Sequence, residues 1–426
     1  MLNKMKRLIT YIYLFGTVFF LQHIQVFAQE GTPDPLEGYL QIAAESNPEL
    51  KSIFNRYLSA LERIPQARAL PDPTVMFSVF TSPVETRVGA QKAGISLNQA
   101  FPWFGQLRSQ EAAAAQLARA RYELFQDRKN ELFFDVRSAY YRLYVLEAAI
   151  SITNENIELL KSFRELANVK LESAKGSAVD LLRVEMDLAE LQNQLKFLED
   201  SRLPIRTKFK ELMNTEDLIE IDLPDTLSTI SFEEGKNVLL DSLIDQNPSL
   251  RKFDFEVSAL DSEIDIAEKM GLPSFNLGLS YVNVAERDGI DLSDNGKDAL
   301  IFPQVGVRIP LYRKKYQAMV REKQLLKTST SQAKEDRTNR LTTQLEKTWR
   351  DYLDAERRVS LYLSLIDFAN QSLDILVAQY TSAGTDFEEM LRMDRQLLRY
   401  ELELEKARAD QNTSVAFINY LTGKNL

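Results

Sequence analysis

Two kinds of apolar pattern alternate along the chain, and each occurs twice. The short stretches have period two. Val75, Phe77 and Val79 alternate with Thr74, Met76 and Ser78. After a turn at Glu85-Thr86-Arg87, Ala93, Ile95 and Leu97 alternate with Gly94, Ser96 and Asn98. Further on, Phe275, Leu277, Leu279 and Tyr281 alternate with Asn276, Gly278 and Ser280, and Val305, Val307 and Ile309 with Gln304, Gly306 and Arg308. Successive side chains of a strand point to opposite faces, so these segments predict strands over about 74–84, 88–99, 274–285 and 301–310. Each has one apolar face and one small or polar face. That fits an outer-membrane strand, and it also fits a half-buried strand pair in a soluble α+β protein.

The long stretches step by three and four. Leu132, Val136, Ala139, Leu143, Leu146 and Ile150 form one seam. Leu345, Thr348, Tyr352, Ala355, Val359, Tyr362, Ile366, Ala369, Leu373, Leu376 and Tyr380 form a longer one. No proline or internal glycine interrupts 105–175 or 312–383. About 70 helical residues would span on the order of 105 Å, so these segments predict coiled-coil packing rather than globular helices. Gly176 and Gly384 can take the left-handed conformation that closes a helix, and Ser177 and Thr385 follow as N-caps. Asp180 and Glu388, three residues on, complete capping boxes. Shorter helices then return over about 178–213 and 386–421.

The two halves match at an offset of about 200–208 residues. Asn47-Pro48-Glu49-Leu50 returns as Asn247-Pro248-Ser249-Leu250, and Ala69-Leu70-Pro71 as Gly271-Leu272-Pro273. Pro102 returns as Pro310, and Gly176-Ser177-Ala178-Val179-Asp180 as Gly384-Thr385-Asp386-Phe387-Glu388. The predicted unit is helix, β-hairpin, very long helix and shorter helix. It occurs over 29–214 and again over 236–426, with an irregular linker or small lateral segment at 215–235.

Composition narrows the class. Residues 1–28 read as a secretory signal: Lys4, Lys6 and Arg7, an apolar core from Leu8 to Leu21, and Val26-Phe27-Ala28 before the cut. Losing those three cations takes the net charge from −10 to −13, which argues against a nucleic-acid partner. No later stretch reads as a transmembrane helix. The chain has no cysteine, hence no disulfide and no lipidated N-terminus, and its one histidine, His23, lies in the signal. A mature chain without His or Cys cannot build a Ser-His-Asp triad, a Cys-His pair or an ordinary zinc site, so neither an enzyme nor a cofactor is expected. Met390 and Met393 share a helical face that could suit a soft metal, but methionine at that spacing is ordinarily core. Asp288, Asp291 and Asp294 lack calcium-loop spacing and read as a solvated loop.

Four strands cannot close a membrane barrel, and lipid does not tolerate open edges, so a membrane reading demands oligomers. Three copies would supply an even number of strands for closure. Aromatic Phe101, Trp103, Phe104 and Tyr312 at the strand ends suit the interface between hydrocarbon and headgroups. On this reading Asn98, Asn276, Ser280, Gln304 and Arg308 face a wet lumen.

The order of these features resembles the TolC-like outer-membrane factors, the outer membrane efflux protein family. The resemblance rests on the repeat and on Leu70-Pro71-Asp72-Pro73 before the first strand. It rests also on Gln99-Ala100-Phe101-Pro102-Trp103-Phe104-Gly105 after the second, and on the glycine tips followed by Val179-Asp180-Leu181-Leu182-Arg183 and Phe387-Glu388-Glu389-Met390-Leu391. It implies a homotrimer in the outer membrane, with a 12-stranded β-barrel on a 12-helix periplasmic α-barrel. The family's periplasmic end docks on an adaptor (membrane fusion) protein joined to an inner-membrane pump of the resistance-nodulation-division (RND) or ABC type. The implied function is a passive exit duct for small molecules or ions. A type I protein secretion duct and a periplasmic coiled-coil scaffold are the alternatives. By motif, Asp180 and Tyr380 match gate residues, and Glu389, beside Glu388, falls at an entrance acid. The arginine that some members carry after the second tip is replaced by Asp386 and Phe387. Capping is the competing role for Asp180 and Glu388, and core packing for Tyr380.

Overall fold

The structure, a computed structural model, describes residues 35–215, 221–289, 291, 293–383 and 387–424. The signal segment 1–28 and the tip residues Gly384 and Thr385 lie outside them. Helices α1 (Pro35–Ser46), α2 (Pro48–Leu61) and α3 (Arg63–Arg68) lead into β1 (Thr74–Thr86) and β2 (Gly89–Phe101). Then come α4 (Gln106–Glu172), α5 (Ala178–Asp200) and α6 (Arg202–Met213). The second half runs α7 (Lys236–Gln246), α8 (Pro248–Met270), β3 (Ser274–Ala285), β4 (Ala299–Arg308), α9 (Arg313–Ala383) and α10 (Phe387–Thr422).

Helix α4 has 67 residues and α9 has 71, so each spans roughly 100 Å. All six positions of the first predicted seam are buried, and those of the second are buried or half-buried. The first returning helix differs from expectation: it breaks at Ser201 into α5 and α6. Pro204 lacks the N–H that a continuous helix would need, whereas α10 has no proline and runs unbroken.

The two Asn-Pro motifs do the same job. Asn47 Oδ1 accepts from Leu50 N, and its Nδ2 reaches Leu212 O at 3.1 Å. Asn247 Oδ1 accepts from Ser249 N and Leu250 N, and its Nδ2 reaches Leu421 O at 2.8 Å. Each asparagine caps one helix and ties it to the last turn of a returning helix.

Residues 221–235 carry no regular structure, yet side chains of the helices pair their backbone at several points. Asp222 N donates to Tyr39 Oη, Leu227 N to Tyr144 Oη, and Phe232 N to Tyr352 Oη. Asn412 accepts from Ile230 N and donates to Ser228 O, and Gln411 donates to Ile230 O. This explains two buried amides on α10 in an otherwise apolar surface. We expect Asn412→Leu to cost about 1–3 kcal/mol by orphaning Ile230 N and Ser228 O. Faster hydrogen exchange confined to 228–232 would register the loss.

The strands form one antiparallel sheet in the order β1-β2-β3-β4, so β1 and β4 each have an unpaired edge. Pairing slips at two bulges on these edge strands, between Val79 and Val84 and opposite Gly278–Ser280. Pro83 and Pro303 lie there, where a ladder donor is missing. The second slip sets Ile301, rather than a polar residue, across from Ser280.

Helix α9 contains a stretch long and apolar enough, by composition, to cross a membrane, which the sequence reading understated. Little of that stretch is buried, and its Leu361, Leu363, Phe368 and Ile375 lie on the surface.

Candidate functional site: sheet faces and hairpin tips

The register assembles one continuous apolar face across all four strands. Val75, Leu97 and Leu279 align, as do Phe77, Ile95, Tyr281 and Leu300. Leu277 lies opposite Val305, and Phe275 between Phe101 and Val307. Gln99 is the polar residue in these rows, at their helix-proximal end, where it donates to Pro71 O at 2.7 Å. This face is bare: Phe77 is 76 % exposed and Val79 77 %.

The other face carries the predicted lumen residues. Asn98, Gly278 and Gln304 share one row, Asn276 pairs with Gly306, and Arg308 with Ser274. Asn276 Nδ2 donates to Asn98 Oδ1 at 3.3 Å, and Ser280 Oγ to Gln304 Oε1 at 3.0 Å. Along the middle of β2 and β3, Ile95, Leu97, Leu277, Leu279 and Tyr281 are exposed, while Ser96, Asn98, Asn276 and Ser280 are half-buried. The polarity is the reverse of a soluble sheet, whose apolar face packs inward. At the helix-proximal end Trp103 stacks on Phe275 with centroids 6.0 Å apart, and Phe104 and Tyr312 are largely exposed.

At the far end of the long helices the first hairpin turn closes differently from expectation. Ala174, not Gly176, takes the left-handed conformation, at φ 57°. Lys175 N bonds Lys170 O and Ala174 N bonds Leu171 O, the paired bonds of a Schellman cap. Gly176 serves another need: a Cβ there would sit 2.8 Å from Lys170 Cβ, so only glycine lets the chain recross the last helical turn. Ser177 caps α5 by accepting from Val179 N.

Asp180 does not stand alone. Arg183 lies 3.9 Å from Asp180 and 2.7 Å from Glu388, joining the start of α5 to the start of α10. Glu389 is held by Arg392 of its own helix, which raises the guanidinium pKa. All three tip carboxylates are thus engaged by two arginines to which the motif assigned no role. The signal for Arg183 was its i, i+3 spacing from Asp180.

Tyr380 is a core residue. Its ring is 3 % exposed and lies 4.9 Å from that of Phe387, in a cluster with Leu391, Leu188 and Phe163. Its hydroxyl is buried with no partner among the described residues. Burial, then the charge of Asp180, pushes the phenol pKa up. Lys170 on α4 covers the ring and donates to Thr381 O at 2.8 Å, a cation at the C-terminal end of α9. Met390 and Met393 belong to the same packed cluster, Met390 fully buried. Among the described residues no group of three or more His, Cys, Asp or Glu could hold a metal ion.

The sequence model of the outer membrane efflux protein family matches residues 39–215. Among solved structures, the fold is similar to that of CusC, at 13 % identity and a TM-score of 0.77 over 94 % of this chain and 96 % of that one. The outer membrane protein VceC of Vibrio cholerae aligns at 16 % identity and 0.74, over 91 % and 96 % of the two chains. The MtrE outer membrane channel of Neisseria gonorrhoeae aligns at 17 % and 0.72, over 91 % and 89 %. An uncharacterised protein of Haemophilus influenzae is 21 % identical over 205 residues, 48 % of this chain. That match spans only 45 % of the relative's own length. The first half of the chain, α1 to α6, thus matches the outer membrane efflux protein family, and the fold shared with these solved structures continues through the second half.

Proposed function

We propose that the chain is one protomer of a trimeric outer-membrane exit duct in a tripartite efflux system. It carries small molecules or ions from the periplasm across the outer membrane. The observation that carries this reading is the inverted sheet. Among the described residues its apolar face has nothing packed on it, on the central strands β2 and β3 the polar positions are the more sheltered ones, and its two edges lack partners. A periplasmic scaffold would have no use for such a face. Three copies joined β1 to β4 would close 12 strands and leave no edge in lipid. Asn98, Asn276, Ser280, Gln304 and Arg308 would then line the water-filled bore. The bare apolar positions on α5 (Leu182, Met186, Phe197) and α9 (Leu361, Phe368, Ile375) are the surfaces that neighbouring protomers would cover.

In this reading 29–214 and 236–426 are two copies of one unit, and 215–235 is an equatorial strap around the helical tube. Residues 1–28 direct export. The entrance is at the hairpin tips (Gly176, Ser177, Gly384 and Thr385), and Asp180, Tyr380, Glu388 and Glu389 set its width. The partners are a periplasmic adaptor and an RND or ABC pump in the inner membrane.

Native mass measurement of detergent-extracted protein tests the assembly. The expected result is a trimer from the outer-membrane fraction whose chain begins at Gln29. A stable monomer in the soluble periplasmic fraction would contradict the duct.

A further inference from the structure

The seam between α10 and α4 near the tips is apolar except at three buried positions: Thr153, Asn156 and Asp394. Asp394 on α10 is 0 % exposed, and Asn156 Nδ2 on α4 donates to its Oδ1 at 2.9 Å. Asp394 Oδ2 and Asn156 Oδ1 have no partner among the described residues, although they belong to one hydrogen-bonded pair. Beside them is a cavity of about 190 Å³ lined in part by Leu160, Asp187, Glu190 and Arg395, large enough for water.

A buried carboxylate with an idle oxygen is costly, and a pair with two orphan acceptors lacks one donor. One proton on Oδ2 supplies it. The acid O–H can then donate to Asn156 Oδ1 while Asn156 Nδ2 donates back, a closed two-bond contact between an acid and an amide.

We propose that Asp394 and Asn156 are a proton-operated latch between the two helical hairpins. Protonated, the pair closes and holds α10 on α4; ionised, it draws water from the cavity and lets α10 separate, widening the entrance. The latch rests on the duct reading and names a control point for it outside the tip residues.

The surroundings favour the neutral acid. Burial pushes the Asp394 carboxyl up to about 7, outweighing the bond from Asn156. From α5, Asp187 raises it, and Glu190 lines the same cavity. From α10, Glu401 raises it and Arg395 lowers it, but Arg395 is already committed to both oxygens of Asp187, at 3.1 Å each. Glu155 on α4 acts on Glu401, and α9 brings to the cluster apolar Ile366, Ala369, Leu373, Leu376 and Val377 and, nearer the tip, the buried phenol of Tyr380. In the separated state the acid would meet water and its ordinary value of 3.8. The packed seam therefore holds the proton more tightly. Between about pH 4 and 7, each unit of rising pH shifts the balance toward separation by up to ~10-fold per protomer.

Planar-bilayer recordings on the intact trimer from pH 5 to 8 test this. Wild-type conductance should rise several-fold across the range. Asp394→Asn, neutral at every pH, should stay low throughout, and Asp394→Glu should restore a pH response. Flat wild-type conductance overturns the latch, and that result needs no variant to fold. An unchanged pH response in Asp394→Asn overturns it equally. If assembled protein opens no channel at any pH, the duct reading fails and the latch with it.

Discussion

Arginine in place of Leu279 should prevent stable trimers from accumulating in the outer membrane. Leu279 lies midway along β3, on the apolar face, aligned with Leu97 and Val75. A cation on the lipid face near the bilayer midplane costs about 2–4 kcal/mol per copy, and a trimer carries three. Leu277 lies one face-position nearer the aromatic end of the strand, so Leu277→Arg should cost less, since the penalty falls toward the interface. Asn276→Arg, on the opposite face beside Asn98, should assemble normally. Trimer yield after mild extraction gives the ranking. Equal tolerance at Leu279 and Asn276 would mean that the register or the membrane face is wrong.

Tyr380→Ala should open the resting channel, whereas Tyr380→Phe should leave it nearly unchanged. The ring fills a buried site against Phe387, while among the described residues the hydroxyl makes no bond that phenylalanine would lose. Truncating a buried aromatic to alanine costs about 3–5 kcal/mol through lost burial and the cavity left behind. Here that loss falls on the contact between the end of α9 and the start of α10. Single-channel conductance should rise for the alanine variant alone. A Phe variant that opens the channel as widely would instead assign the hydroxyl a polar gating contact in the trimer. The ion pair from Arg183 to Glu388 is a smaller lever, because both groups are substantially exposed and such pairs contribute at most about 1 kcal/mol.

Much of this was legible in the chain itself. Period-two alternation at Val75–Val79 or Phe275–Tyr281 admits only two faces, so side-chain partition follows once a strand forms. The 3-4 stepping from Leu345 to Tyr380, uninterrupted by proline, admits only a long packed helix. Asn-Pro at 47 and 247 announces helix starts, because asparagine caps and proline suits the first turn. These are local rules, acting over a few residues.

What depended on distant neighbours was not legible. The left-handed residue at the first tip is Ala174 because the Schellman bonds choose the residue that must turn, and Gly176 is needed for close approach instead. Whether Tyr380 makes polar contacts or packs depends on Phe387 and Lys170, from α10 and α4. Gln411 and Asn412 are polar in a buried surface because the strap at 228–232 brings bare backbone to them. Asp394 is one acid among many along its helix, and only the meeting of α10 with α4 removes it from water and sets it against Asn156. Sequence alone determined the elements and their faces, because those follow from short-range periodicity and capping. Tertiary structure decided which charges are paired, buried or orphaned, because burial and partnership are properties of two segments at once.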